Sequence, residues 1–376
     1  MKNLLTLAFG FWSMATVWAQ DTINFQRYLD GHTAAVEVVE ISNSGLMLAS
    51  GGFDNNVRLY SRKDSASPFE FERLFTGHHG GITSIAISNN GQYLVSASKD
   101  YTFRVYEIKS GSLKFTSRDH AQPVTQVQFD PQDSFILTSS TDKSIKIFKI
   151  TDVLKAKSAP ITVNHSEAIN GFVLSPRKGH FILATNNTQV VELSAKGKVN
   201  SIFLGHSGRV NCIDVSHNRK FIATGSDDKT IRIFNIATKQ TLFTLEGHGW
   251  KVTSVEFSAD DRYLLSTCNN GEVKVWNVQT GLEVSNIPPM GSNARQAQWL
   301  PDMTALAVAS HQKGPFYGVA LYKTPYTVFV KKPATAKGAK PGAAKPGTAA
   351  AKPGTAKPAA TKPAAAAAAK PAASKK

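Results

Sequence analysis

The sequence predicts an all-β fold, a seven-bladed β-propeller followed by a disordered C-terminal tail. Two observations carry this prediction. A segment of about 43 residues, rich in short runs of β-forming residues, recurs seven times between Asp21 and Val330. Beyond Val330 the chain consists almost entirely of Lys, Pro, Ala, Gly and Thr. These boundaries divide the chain into an N-terminal segment at 1–19, a propeller at 20–330 and a tail at 331–376.

The repeat is marked by histidines at nearly constant spacing. Six copies carry a marker histidine: His32, His78, His120, His165, His206 and His248. Successive markers are 46, 42, 45, 41 and 42 residues apart, and a seventh, eroded copy begins near Met290. Each copy contains apolar alternations divided by turn signals such as Asn-Gly, which is the periodicity of strands. Repetition of a four-stranded unit at this period predicts a propeller.

The copies resemble WD-repeat proteins. The Gly-His opening and a closing aromatic-Asn pair carry the resemblance, which is clearest in Val-Trp-Asn at 275–277. It implies that a turn Asp, the marker His, a strand Ser or Thr and a Trp form a hydrogen-bonded chain in each blade. The matching positions are His32, Ser50 and Asp54, then His78, Ser96 and Asp100, then His120, Thr138 and Asp142, then His206, Thr224 and Asp228.

Three copies depart from this pattern. The fourth has no Asp at the turn, the sixth has Asn270 in its place, and the seventh retains neither His nor Asp. Among the closing aromatics only Trp276 is an indole, whose N–H is a donor that Phe lacks. We therefore expect looser blades at these copies.

The resemblance also implies how the ring closes. In the family, the segment before the first Gly-His forms the outer strand of the last blade. Residues 22–29 occupy that place, and the segment ending in GVALYK is expected to be the third strand of blade seven.

The N-terminus has the order of a secretory signal peptide. Lys2 is followed by an uncharged run from Leu4 to Trp18, and small residues precede Gln20. The run is shorter than a membrane-spanning helix requires. We therefore expect cleavage after Ala19 and a secreted or periplasmic protein. The alternative is an uncleaved N-terminus on a cytoplasmic or nuclear protein.

Catalytic and metal-binding motifs were sought without success. The sequence contains no phosphate-binding loop, nucleophile elbow or zinc-protease helix, so we expect no enzyme, no cofactor and no metal site. Glu40, Asp214 and Glu256 occupy equivalent places in three inner strands, where trapped water or a cation would meet them. Cys212 and Cys268 fall on neighbouring blades, and either buried thiols or a disulfide fits them.

A partner-binding surface is expected where the Gly-His loops and the acidic turns emerge. Residues beside these loops and turns should point toward the partner, and Trp and Arg are frequent anchors of interfaces. The predicted partner-binding residues are Phe53, Lys99, Arg209, Asp227, Trp250 and Lys251. Packing of Trp250 on its own loop is the alternative interpretation.

The tail suggests a second, polyanionic partner. It holds eleven Lys and no Asp or Glu, so most of the formal net charge of +16 belongs to it. Seven prolines forbid a continuous helix, and the tail has no Leu, Ile, Val or aromatic residue for a core. We expect a non-enzymatic extracytoplasmic scaffold whose propeller binds a protein and whose tail binds an envelope glycan, lipid or nucleic acid. The alternative function is an intracellular adaptor with a nucleic-acid-binding tail.

Overall fold

The computed structural model describes residues 23–287, 294–310 and 317–324, and these residues are almost all in strands or in the turns between them. The predicted signal peptide, the tail and the start of the seventh copy at Met290 lie outside the described residues. The strands from the closing strand through blade three are β1 (Asn24–His32), β2 (Val36–Ile41), β3 (Met47–Gly52), β4 (Val57–Ser61), β5 (Glu70–Phe75), β6 (Ile82–Ile87), β7 (Tyr93–Ser98), β8 (Phe103–Glu107), β9 (Leu113–Ser117), β10 (Val124–Phe129), β11 (Phe135–Ser140) and β12 (Ser144–Lys149).

A single helical turn, α1 (Ile150–Val153), follows β12 directly. The strands that follow it are β13 (Ile161–Asn164), β14 (Ile169–Leu174), β15 (His180–Thr185), β16 (Val190–Ser194), β17 (Val199–Phe203), β18 (Val210–Val215), β19 (Phe221–Ser226), β20 (Ile231–Asn235), β21 (Thr241–Leu245), β22 (Val252–Phe257), β23 (Tyr263–Cys268), β24 (Val273–Asn277), β25 (Glu283–Ile287), β26 (Ala294–Trp299), β27 (Ala305–Ser310) and β28 (Tyr317–Lys323).

The strands form seven antiparallel sheets of four strands, which confirms the predicted seven-bladed propeller. Blades one to six are consecutive meanders, beginning with β2 to β5 and ending with β22 to β25. Because the strands alternate in direction, the loop before each inner strand and the turn between the second and third strands emerge together. We call that side of the ring the upper face, and the side with the other two turns the lower face.

Blade seven closes the ring with a strand from the start of the propeller. Its order is β26, β27, β28 and β1, and β1 pairs antiparallel with β28 from Asn24 opposite Lys323 to His32 opposite Tyr317. The prediction of a closing strand at 22–29 is therefore confirmed, with its described bounds at 24–32.

The core lies between the blades. Seven clusters of buried apolar side chains each join two neighbouring blades. In the cluster between blades two and three, Phe103 packs edge-to-face against Phe148 with 4.8 Å between ring centroids. Each fully buried Phe or Leu contributes about 1.5–3 kcal/mol. The alternation of apolar residues in each copy thus serves two interfaces, one on each side of the sheet.

A search of the described residues for membrane-crossing helices found none with the length and apolar character required.

Candidate protein-binding face

Four blades fix their upper turns with the hydrogen-bonded chain that the resemblance implies. In blade five, Nδ1 of His206 lies 2.8 Å from the Asp228 carboxylate and Nε2 lies 2.9 Å from the Thr224 hydroxyl. Blades one, two and three repeat this geometry, with histidine-to-aspartate distances of 2.8, 2.9 and 2.7 Å. Because Nδ1 faces a carboxylate it carries the proton, and the hydroxyl donates to Nε2.

The aspartates of these chains are held in their charged form. Burial acts to raise the pKa of Asp228, but hydrogen bonds from Thr230, from the Ser207 N–H and from His206 outweigh it and lower that pKa to about 2. The pKa values of the equivalent aspartates in blades one to three are lowered for the same kind of reason. The upper turns of blades one, two, three and five are thus each anchored by an ionised carboxylate.

The closing aromatics end the chain in three ways. The indole N–H of Trp276 donates to the Ser266 hydroxyl at 2.8 Å. The Tyr60 and Tyr106 hydroxyls instead donate to the backbone oxygens of Asp30 and Thr76. Phe148 and Phe234 are buried and contribute packing alone.

Blade four does not build this chain. Although His165 occupies the marker position, its Nδ1 accepts the N–H of Glu167 two residues later, at 3.1 Å. The Thr185 hydroxyl bonds to Asn187 in its own turn. Without a turn aspartate, the imidazole of His165 makes only this local contact. It therefore does not join the histidine–aspartate chain that the marker histidines form in blades one, two, three and five.

Blade six rearranges the chain. His248 keeps its bond to the Ser266 hydroxyl at 2.8 Å, but Nδ1 makes no hydrogen bond, and the nearest carboxylate oxygen is that of Glu272 at 3.6 Å. Cys268 Sγ lies 3.5 Å from the same carboxylate. These three ligand-type atoms lie within 4.8 Å of one another. The sequence analysis did not anticipate this cluster.

The six predicted partner-binding residues flank the upper loops and turns, in three separate groups. Lys99 Nζ lies 4.3 Å from the centroid of the Phe53 ring, which joins blades one and two by a cation–π contact. Arg209 and Asp227 form an ion pair at 3.5 Å on blade five. Trp250 and Lys251 lie in the loop before β22, with Trp250 58% exposed. The described contacts do not join the three groups to one another.

A ring of polar residues at the channel mouth was missed by the sequence analysis. Each is the second residue of an inner strand, and most reach the backbone oxygen at the start of the next blade, as Thr83 does with Val124 at 2.6 Å and Asn211 with Val252 at 2.9 Å. The ring consists of Glu37, Thr83, Thr125, Asn170, Asn211, Thr253 and Arg295. Polarity at this position in every copy is the signal that would have revealed it.

The channel behind this ring is a cavity of about 550 Å³, lined also by Glu40, Asp214 and Glu256. These acids accept hydrogen bonds from the neighbouring blade, as Asp214 does from the Phe257 N–H at 2.7 Å and Glu256 from the Trp299 N–H at 3.0 Å. Burial raises the pKa of Glu40 to about 7 and that of Asp214 to about 6, and it raises that of Glu256 well above its usual range. Their described role is to join blades.

The two cysteines are free thiols. Cys212 lines the channel and Cys268 is buried at the end of β23. Burial raises the pKa of Cys212 to about 12 and that of Cys268 to about 11. Of the two interpretations left open by the sequence, the structure has thiols.

Comparison with known proteins identifies relatives whose names do not describe secreted or periplasmic proteins. The chain is 27% identical to "Apoptotic protease-activating factor 1" of Danio rerio over 46% of this chain and 13% of that protein. It is 23% identical to "Pre-mRNA-processing factor 19" of Oryza sativa subsp. japonica over 49% and 35%, respectively. It is 27% identical to "WD repeat and HMG-box DNA-binding protein 1" of Mus musculus over 42% and 14%. The matched segments are thus about a third or less of each relative.

These relatives correct one prediction. Pre-mRNA processing and DNA binding, as their names state, take place inside cells. The expectation of a secreted or periplasmic protein is therefore wrong, because a leader-like apolar N-terminus carries less information about location than similarity across several repeats.

The family is shown by a direct match. The model of the "WD domain, G-beta repeat" matches residues 23–61, 69–107, 111–149, 197–235 and 239–277. Each segment contains the outer strand of the preceding blade and the first three strands of blade one, two, three, five or six. Blades one, two, three and five are those with the histidine–aspartate chain. Propellers of this family are generally non-catalytic scaffolds that bind proteins. The chain belongs to the WD-repeat family.

Proposed function

We propose that the protein is a non-enzymatic intracellular adaptor, cytoplasmic or nuclear, whose propeller binds a protein partner on its upper face. The observation that carries this proposal is Trp250, a large aromatic side chain 58% exposed in an upper loop. Isolated exposed apolar residues are ordinary, but Trp beside charged groups is the composition of interface anchors. Lys251 follows it directly, and Arg209 and Asp227 lie on the adjacent blade.

Hydrogen bonds hold the upper turns that carry Phe53, Lys99 and Asp227. The backbone N–H groups of Phe53, Lys99 and Asp227 donate to the loops before their inner strands, at 2.9 Å in each case. The Asp and His of the blade chain hold the adjacent turns. A surface that is ordered before binding loses little entropy on association, which favours affinity.

Site-specific crosslinking tests the proposal. A photoreactive amino acid placed at Trp250 should capture a partner in cells, whereas the same probe at Leu282 on the lower face should not. Leu282 is a matched control because it is 67% exposed and lies on the same blade. With the captured partner purified, Trp250→Ala should weaken the measured Kd at least tenfold, and Leu282→Ala should leave it within twofold. Equal effects of the two substitutions would contradict the proposal.

For the tail, we propose binding to nucleic acid. Its eleven Lys without an acid give a polycation, and such segments neutralise phosphates without reading sequence. Full-length protein should be retained on DNA and released steeply as salt rises, whereas a chain that ends at Val330 should not be retained. Equal retention of both chains would contradict this part of the proposal and leave the propeller part intact.

A further inference from the structure

Blade six differs from the other complete blades at three positions that lie together. In blade five the equivalent positions are Ser226, Asp228 and Thr230, and in blade six they are Cys268, Asn270 and Glu272. Blades two and three also carry Ser at the first position, Asp at the second and a hydroxyl residue at the third. Compared with blade five, blade six therefore has a thiol in place of a hydroxyl at the first position and an amide in place of the carboxylate at the second. Its carboxylate is at the third position, two residues further along the chain.

The first consequence is that His248 loses the acceptor at Nδ1. In blade five the Asp228 oxygen lies 2.8 Å from that nitrogen, whereas the Glu272 oxygen lies 3.6 Å from it. The His248 side chain is 1% exposed, so water does not solvate the ring. A buried nitrogen without a hydrogen bond is costly, and it points toward the Cys268 and Glu272 side chains.

The second consequence is a set of donor atoms with the dimensions of a coordination site. In a tetrahedral zinc site with one nitrogen, one sulfur and one oxygen ligand, neighbouring ligand atoms lie about 3.3–3.6 Å apart. Here Sγ of Cys268 and Oε2 of Glu272 are 3.5 Å apart, and Nδ1 of His248 and the same oxygen are 3.6 Å apart. Nδ1 of His248 and Sγ of Cys268 lie within 4.8 Å of each other, so a small side-chain rotation brings all three atoms to the spacing of metal ligands.

We propose that His248, Cys268 and Glu272 form a site for one Zn²⁺ ion at the upper end of blade six, with water as the fourth ligand. Thiolate, imidazole and carboxylate together favour Zn²⁺ over the hard cations Mg²⁺ and Ca²⁺, which take oxygen ligands. On binding, the Cys268 thiol gives its proton to solvent and its sulfur bonds the metal. Glu272 is 22% exposed and provides the path by which the ion enters.

The surrounding groups suit a bound ion. With Nδ1 on the metal, Nε2 of His248 carries the proton and donates to the Ser266 hydroxyl, which also accepts from Trp276 and donates to the Lys274 oxygen at 3.4 Å. Such a hydrogen bond on the distal nitrogen orients metal-bound imidazoles. Asn270 lies beside the sulfur and its Oδ1 accepts from the thiol and from the Glu272 N–H. The amide carries no charge, whereas an aspartate there would repel a thiolate. The sequence-based expectation of no metal site is untested, and this proposal is the alternative to it.

Cobalt substitution tests the site in the full-length protein. The chain is stripped of metal with a chelator, kept reduced and titrated with Co²⁺, whose charge-transfer absorption reports a thiolate ligand. Wild type should bind one ion per chain with this absorption, and Zn²⁺ should displace it. Cys268→Ser should abolish the absorption and weaken binding at least 100-fold. Cys212→Ser, which removes the channel thiol, should change neither.

A second variant separates loss of the site from loss of the fold. The triple substitution Cys268→Ser, Asn270→Asp and Glu272→Thr gives blade six the residues of blade five, so it should fold and yet bind no metal. Zn²⁺ should raise the Tm of wild type and of Cys212→Ser but leave that of the triple variant unchanged. The proposal is overturned if wild type binds no stoichiometric metal, if the thiolate absorption survives Cys268→Ser, or if the triple variant retains wild-type affinity.

Discussion

Blade five holds two aspartates whose surroundings act on them in opposite directions. Asp214, on the channel wall, accepts a hydrogen bond from the Phe257 N–H of the next blade, and burial raises its pKa to about 6. Asp228, at the upper turn, accepts hydrogen bonds from His206, from the Ser207 N–H and from both the N–H and the hydroxyl of Thr230. Burial acts on both, but these donors lower the pKa of Asp228 to about 2.

The difference shows that hydrogen-bond donors can outweigh burial in setting the pKa of a carboxylate in this fold. At the upper turn, several N–H and hydroxyl groups donate to the aspartate, and these hydrogen bonds hold the turn in place. The channel wall gathers Asp214, Glu256 and Glu40, which have fewer donors than Asp228. Burial, together with the charges of Asp214 and Glu40, raises the pKa of Glu256. The following substitutions separate the two environments.

Removal of the two carboxylates should have unequal effects. Asp228→Ala leaves four donors without an acceptor and should lower the free energy of unfolding by roughly 1–3 kcal/mol. Asp214→Ala leaves the Phe257 N–H beside a cavity that water can enter, so its cost should be smaller. Urea denaturation of the full-length variants at pH 7 measures both. Equal losses would mean that the donors around Asp228 do not set its contribution.

Acid should remove the contribution of Asp228, and comparison with a variant at that position isolates it from the equivalent aspartates. Its folded pKa is about 2 and its unfolded value about 3.9, so the stabilisation is complete above pH 4 and is lost as the pH falls toward 2. The unfolding free energies of wild type and Asp228→Asn should therefore converge below pH 4. Chemical denaturation at pH 5, 4 and 3 follows this convergence, and parallel curves across that range would contradict it.

A rise in pH should lower the stability of the protein through Asp214, the opposite of its effect through Asp228. Its folded pKa of about 6 lies above the unfolded value, so the folded state keeps its proton longer and loses stability as the pH rises from about 4 to 6. Asp214→Asn keeps an acceptor for the Phe257 N–H and cannot ionise. It should match wild type at pH 4 and be more stable by roughly 2–3 kcal/mol at pH 8.

Glu40→Gln provides the matched measurement for this prediction. The pKa of Glu40 is raised to about 7, so its stabilising effect should develop about one pH unit higher than that of Asp214→Asn. Thermal melts at half-unit pH steps resolve the two midpoints. A stabilisation that did not depend on pH would show that ionisation of these groups is not its cause.

The smallest effect is expected at the blade-six counterpart of Asp228. Asn270 accepts the Glu272 N–H at 3.1 Å and lies beside Cys268, but it does not reach His248. In metal-free protein, Asn270→Ala should change the free energy of unfolding by about 0.5 kcal/mol or less. A loss as large as that of Asp228→Ala, measured under the same conditions, would place Asn270 in a network that the structure does not contain.

The fold was accessible from the sequence because its evidence is repeated. One marker such as His165 proves little, since it occupies the right position in blade four and still makes only a local contact. Five other copies carry the same spacing, and their agreement overrides that exception. The closing strand was predictable from the resemblance, because in the family the segment before the first Gly-His forms the outer strand of the last blade, and residues 22–29 occupy that place.

The candidate site was less accessible because contacts between blades depend on where the ring places neighbouring sheets. The bond from the Phe257 N–H to Asp214 crosses from one blade to the next, and no local pattern announces it. The ring of second residues in the inner strands was readable as a column of polar residues. The blade-six cluster required the copies to be aligned and their differences read at three positions together. The six predicted partner-binding residues are still a prediction about binding.

Closure by β1 has a consequence for the synthesis of the protein. Asn24 finds its partner, Lys323, only after roughly 300 further residues have been made. At ribosomal rates of about 5–20 residues per second, β1 exists for roughly 15–60 s before β28 leaves the ribosome. During that interval blades one to six are able to form as meanders, while β1 stays an unpaired edge beside them. The pairing of β1 with β28 therefore cannot occur until synthesis of the propeller is nearly complete, and protection of β1 by a chaperone would matter most while the ring is still open.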